Sequence, residues 1–125
     1  MEKKVNVANW FEIPVRDMSR AVAFYEHVCG VKLRPNEMGP LKMAWFPWEA
    51  GAEGAPGSLV CGPGYVPSDR GSIVYLTVDD LDAALGRVEA TGGKVLQPRT
   101  PIGEYGFVAH FGDCEGNRVA LHSMQ

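Results

Sequence analysis

Apolar residues alternate or cluster in short stretches at about 9–15, 42–47, 58–61, 72–78, 94–97, 106–111 and 118–123, and each stretch predicts a strand. Two segments instead show helical spacing. The first follows Asp17, with Ala21, Val22, Phe24, Tyr25 and Val28 on or beside one face, and stops near Gly30. The second follows Asp79 and Asp80, carries Leu81, Ala84, Leu85 and Val88 on one face, and stops at Gly92 and Gly93. Each has an aspartate at its start, where a carboxylate oxygen can accept free backbone N–H groups, and a glycine at its end.

The pattern is written twice. A shift of 63 residues superimposes Val15 on Val78, Asp17 on Asp80, Ala21 on Ala84, Gly30 on Gly93, Leu33 on Leu96 and Pro35 on Pro98. These identities fall at caps, helix face and following strand, so the chain reads as two copies of one strand–helix–strands module. The period exceeds the roughly 20–50 residues of stacked repeats, which favours two modules forming one domain over residues 1–125. Module one spans about 7–62 and module two about 71–124, with "WEAGAEGAPG" a loop inside the first and "CGPGYVPSDRG" the connection between them.

The stretch "WFEIPV" places a carboxylate in an apolar run. In extended backbone Phe11, Ile13 and Val15 share one face, while Trp10, Glu12 and Pro14 share the other. The repeat matches these faces to Val74, Leu76 and Val78, and to Ile73, Tyr75 and Thr77. The purely apolar face belongs under the helix, because its burial contributes about 25 cal/mol per Å2 and leaves no polar group unpaired. In the last strand Val119 and Leu121 are apolar, and Arg118, Ala120 and His122 look the other way. A face mixing Trp, Tyr, Ala, one Glu and one His reads as the lining of a concavity that holds a small-molecule ligand. Glu12 is expected to point into it, the alternative being a solvated carboxylate at an edge.

Composition narrows the partners. A chain of 125 residues, 46% hydrophobic and 22% charged, has the size of one compact domain. Its net charge of −3, without a basic cluster, disfavours nucleic acid and anionic membrane surfaces. No apolar run approaches the roughly 20 residues of a membrane span, and "MEKKVNVANW" lacks the apolar centre of a secretion signal, so a cytoplasmic location is expected. Cys29, Cys61 and Cys114 match neither a disulfide framework nor a paired metal motif and read as reduced thiols.

The duplicated "FEIPVRDMSRAVAFYEHVCGVKL" and "YLTVDDLDAALGRVEATGGKVL", with the closing "GDCEGNRVALHS", resemble the vicinal oxygen chelate superfamily of glyoxalases, bleomycin-resistance proteins and extradiol dioxygenases. The resemblance covers about residues 7–124. It implies an α+β fold of two βαβββ modules whose curved sheets form a cup, usually in a homodimer. Metal-dependent members hold a divalent ion through His or Glu, and their ligand positions fall here on Trp10, about Val60, Ile73 and Ala120. None of these side chains is a metal donor. No metal and no cofactor are therefore expected.

Two further candidates stand beside Glu12. His122 lies two residues beyond Ala120 and on its face, so Glu12 and His122 can form a carboxylate–imidazole pair suited to general-base work; equally, the pair can be purely structural. Tyr75 and Thr77 add hydroxyl groups to that wall. In "TPIGEYGFVAHF" Tyr105 sits between glycines, where the resemblance implies a loop bordering the cavity; an exposed hairpin tip is the other reading. "LKMAWFPW" places Met43 and Trp45 on one face and Ala44, Phe46 and Trp48 on the other, a strand packed on both sides or bordering a dimer. His27 and His110 lack a second ligand at strand or helix spacing and are weighed only as zinc ligands, which they make poorly. "GPG" at 62–64 lacks the lysine and helix of a phosphate loop, and Lys42 snorkels outward. Two functions follow. One is a metal-independent lyase or isomerase with Glu12 or His122 as base and Tyr75 as donor, with Ala120 in the wall. The other is a binding or resistance module in which Trp10, Trp45 and Tyr105 supply stacking surface.

Overall fold

A computed structural model describes residues 5–125; Met1 to Lys4, which open the expected domain, lie outside the described residues. Asp17 and Asp80 cap the two helices, α1 (Met18–Cys29) and α2 (Leu81–Ala90). The Asp17 carboxylate accepts the N–H of Arg20 at 3.1 Å, and that of Asp80 accepts the N–H of Ala83 at 3.0 Å. The strands are β1 (Phe11–Pro14), β2 (Arg34–Met38), β3 (Leu41–Trp45), β4 (Gly57–Cys61), β5 (Tyr75–Thr77), β6 (Lys94–Pro101), β7 (Phe107–Gly112) and β8 (Arg118–Ser123). They form two sheets, ordered β1-β4-β3-β2 and β5-β8-β7-β6. In each, the first strand pairs parallel with the last and the remaining pairs are antiparallel. The fold is thus α+β, two βαβββ modules.

The apolar faces go where the alternation sends them. Ile13 and Val15 are 2% and 1% exposed, and they meet Phe24, Tyr25, Leu59 and Leu121 in a core shared by both modules. Its centre is aromatic: the Phe24 ring lies 5.0 Å from Tyr25 and 5.9 Å from Phe111, and Tyr25 lies 5.9 Å from Phe46. The repeat is less exact at the second helix end. Gly30 takes a left-handed φ of 67°, whereas in module two that role passes to Gly92 with φ 99°. Gly93 is needed for another reason, since a Cβ there would lie 2.6 Å from the Gly112 carbonyl.

Two stretches differ from expectation. β2, "RPNEM", lies outside the expected strands. It is an edge strand with both faces largely wet, so no apolar alternation marks it. β6 runs on to Pro101 because Pro98 and Pro101 sit on an edge strand, beside irregular pairing with β7, where a missing N–H costs little.

The "DCEGN" turn between β7 and β8 stitches the modules together. The Tyr25 hydroxyl of α1 donates to Asp113 at 2.5 Å, and Asn117 donates to the Pro14 carbonyl at 2.8 Å. Burial first, then the Asp113 charge, push the Tyr25 phenol well above its usual range, so it remains a donor. Glu115 accepts the N–H groups of Arg16 and Asp17 at 2.7 and 3.0 Å and the Arg20 guanidinium at 2.8 Å. Burial raises the Glu115 pKa, but these donors outweigh it and the net displacement is downward. Its contribution to stability is therefore present above the ordinary glutamate value of 4.5 and is lost as pH falls through the lower folded value. Glu115→Gln is expected to cost about 1–3 kcal/mol at neutral pH and to flatten the loss of stability below about pH 4.5, measured by urea melts across pH.

Candidate functional site

Alternation picks the face and register picks the neighbours. With Ile13 in the core, Glu12 lies on the face turned away from the helices, opposite Ser58 of β4. Ser58 lies opposite Trp45 of β3, and Trp45 opposite Arg34 of β2. This row crosses the whole first sheet. The Trp10 indole N–H donates to the Glu12 carboxylate at 3.3 Å, and its ring meets Trp45 edge-on with centroids 5.0 Å apart. Within the row, Trp45 Nε1 and Ser58 Oγ are buried, and neither has a hydrogen-bond partner among the described residues.

Module two repeats the row with other chemistry: Tyr75 of β5, Ala120 of β8, His110 of β7 and Gln97 of β6 stand in register. The Tyr75 hydroxyl oxygen lies 3.1 Å from His110 Nε2, and Arg118 Nε donates to His110 Nδ1 at 3.0 Å. Burial and the neighbouring Arg118 charge lower the His110 pKa. The sequence reading missed this histidine as a wall residue. The signal was there, since Ala109 and Phe111 are core and alternation sends His110 to the Tyr75 face.

Thr77 pairs with His122 in the next row. His122 Nε2 donates to the Tyr105 carbonyl at 2.5 Å, while the Tyr105 side chain itself is 68% exposed on a 3₁₀ turn, Gly103–Tyr105. Glu12 and His122 thus each hold a different partner and do not hydrogen-bond to one another. Trp10, Tyr75 and Thr77 line one cavity of about 480 Å3 together with Ile73 and Phe46. Glu12 lines a smaller cleft of about 150 Å3 with Arg70, Asn117 and Arg118, and Trp45 lines a groove of about 330 Å3 with Lys32, Arg34 and Trp48. The indole of Trp10 joins the three, through its bond to Glu12 and its contact with Trp45.

Register also moves one of the expected metal-ligand positions. Ala120 stands opposite Tyr75, and the equivalent of Tyr75 in module one, Glu12, stands opposite Ser58. The position assigned to about Val60 therefore falls on Ser58, because parallel pairing sets both modules to the same stagger whatever the length of the intervening loop. Trp10, Ile73 and Ala120 offer no donor atom and Ser58 only a neutral hydroxyl, so these residues do not fit the divalent ion that the resemblance implies. Among the described residues no three His, Cys, Asp or Glu side chains are grouped to hold one. Burial pushes the thiols of Cys29 and Cys114 up to about 11, so neither presents a thiolate near neutral pH.

The sequence profile of the glyoxalase/bleomycin resistance protein/dioxygenase superfamily matches residues 7–121. CFP32 of Mycobacterium tuberculosis, described as a candidate glyoxylase, is 31% identical over 124 residues, covering 96% of this chain and 46% of that protein. The chain thus spans about half the length of that relative. A glyoxylase-like domain-containing protein of Didymella fabae is 32% identical over 119 residues and 88% of each chain. Among solved structures, TnmS3, an antibiotic binding protein from Streptomyces sp. CB03234, superimposes with a TM-score of 0.64 and 25% identity over 98% of both chains.

Proposed function

We propose, since the chain belongs to the glyoxalase/bleomycin resistance protein/dioxygenase superfamily, that it binds a small organic molecule against the faces of its sheets turned away from the helices. The observation that carries this reading is the pair of orphaned polar atoms, Trp45 Nε1 and Ser58 Oγ, set beside two packed indoles. An unpaired buried donor costs about 1–3 kcal/mol, a cost that a ligand acceptor would remove once the side chains covering Trp45 Nε1 shift to admit it. The ligand this suits has a flat apolar body, for the Trp10 and Trp45 rings, and at least one acceptor oxygen. The full-length likeness to an antibiotic binding protein favours binding without turnover. The reading carries with it a homodimer, checked by sedimentation, and a cytoplasmic location. Among the described residues no helix is long and apolar enough to cross a membrane.

The test is a screen of aromatic ketones and quinones by quenching of tryptophan emission, repeated in Trp45→Phe, which keeps a ring and removes the N–H. Affinity is expected to fall about 3- to 10-fold while folding stability holds or rises. Equal affinity in the two proteins, or no quenching by any compound, removes the reading.

A second reading, a metal-independent lyase or isomerase, has its own support. A carbonyl can only accept, so the Tyr105 oxygen fixes the proton of a neutral His122 on Nε2 and leaves the Nδ1 lone pair free. On this reading Glu12 or His122 takes a proton from the substrate and Tyr75 stabilises the developing oxyanion.

A further inference from the structure

We infer that Arg118 and His110 act as positioning residues that set the Tyr75 hydroxyl as a one-way hydrogen-bond donor, selecting ligands that present a carbonyl or carboxylate oxygen to the cavity Tyr75 lines. The inference deepens the binding reading above and rests on it. Its first step is a matter of valence. A guanidinium N–H can only donate, so the 3.0 Å contact from Arg118 Nε requires a lone pair on His110 Nδ1. A neutral imidazole with a bare Nδ1 carries its proton on Nε2. That proton faces the Tyr75 oxygen 3.1 Å away, so the phenol oxygen accepts and its own proton is free for another partner. The opposite polarity, Tyr75 donating to Nε2, would leave both ring nitrogens unprotonated, which an imidazole does not sustain at neutral pH.

The surroundings hold this state. His110 is buried, Arg118 and Tyr75 are the ionisable groups bonded to it, and its register partners Gln97 and Ala120 are uncharged. Burial and the cation both disfavour imidazolium, in line with the lowered pKa. Tyr75 is 49% exposed, and the cavity of about 480 Å3 that it lines has Trp10, Ile73, Phe46 and Val31 in its walls, with Thr77 and Glu53 as the other polar groups. An N–H bonded to a phenol oxygen makes the phenol a stronger donor. A ligand oxygen that accepts gains from this, whereas a group that only donates makes no use of the free Tyr75 proton and turns to Glu53 instead.

Two measurements on the intact protein test the proposal. Nitrogen-15 spectra of the histidine rings should show His110 as a single neutral tautomer protonated on Nε2 at pH 7 to 8. Arg118→Met should let it titrate at higher pH and mix its tautomers. A proton on Nδ1, or an imidazolium at pH 7, overturns the relay whether or not any ligand binds. The second is a pair of NMR titrations with acetophenone, which can only accept, and benzylammonium, which can only donate. Tyr75→Phe is expected to weaken acetophenone about 3- to 10-fold and to leave benzylammonium, which pairs with Glu53, unchanged. No effect of Tyr75→Phe on acetophenone, or an equal loss for both probes, overturns the ligand class. If neither probe binds at millimolar concentration while the tautomer is as stated, the binding reading falls and the relay is left as a structural contact.

Discussion

Asp113→Ala is expected to lower stability by about 3–5 kcal/mol and the melting temperature by roughly 10–20 °C. Asp113 is 6% exposed, and its carboxylate takes four hydrogen bonds. Oδ1 accepts the N–H groups of Glu115 and Asn117 at 2.8 and 2.9 Å. Oδ2 accepts the Tyr25 hydroxyl at 2.5 Å and the Asn117 amide at 3.0 Å. Removing it orphans buried donors from both modules at once, and Asn117 loses the anchor that aims its amide at Pro14. The single costs do not add, because the turn can relax and admit water. Asp113→Asn keeps the volume and one acceptor, and should fall between wild type and Asp113→Ala in thermal melts. A loss below about 1 kcal/mol in Asp113→Ala would show that the turn does not couple the modules.

Glu12→Gln separates the two functional readings. If Glu12 takes a substrate proton, the substitution keeps shape and affinity, within about threefold, and lowers turnover by roughly 10²- to 10⁴-fold. If the chain only binds, the same variant changes affinity modestly through the Trp10 contact at 3.3 Å, and there is no turnover to lose. Folding stability should stay within about 0.5 kcal/mol in either case, since Glu12 is exposed and its register partner Ser58 is uncharged. A large stability loss would assign the carboxylate a structural task instead.

The division between sequence and structure runs along the range of each interaction. Spacing of two and of three to four residues marked both helices, their aspartate caps and seven of the eight strands among the described residues, and the 63-residue offset exposed the duplication. Local patterns such as these arise because a side chain's face depends on its immediate backbone. β2 escaped because an edge strand wet on both faces has no reason to alternate.

The site was only half legible. Alternation put Trp10, Glu12, Tyr75 and Thr77 on the face away from the helices, but it is silent on who stands opposite whom. Register between strands far apart in sequence brought Ser58 beside Glu12 and Trp45, placed His110 across from Ala120 within reach of Tyr75, and gave His122 to the Tyr105 carbonyl. The amino-acid sequence by itself determined which face each side chain occupies and where the chain turns into helix. Only the tertiary structure decided which polar groups are paired, which remain orphaned at Trp45 and Ser58, and which way the Arg118–His110–Tyr75 chain is polarised, because those depend on distances between atoms that no local period encodes.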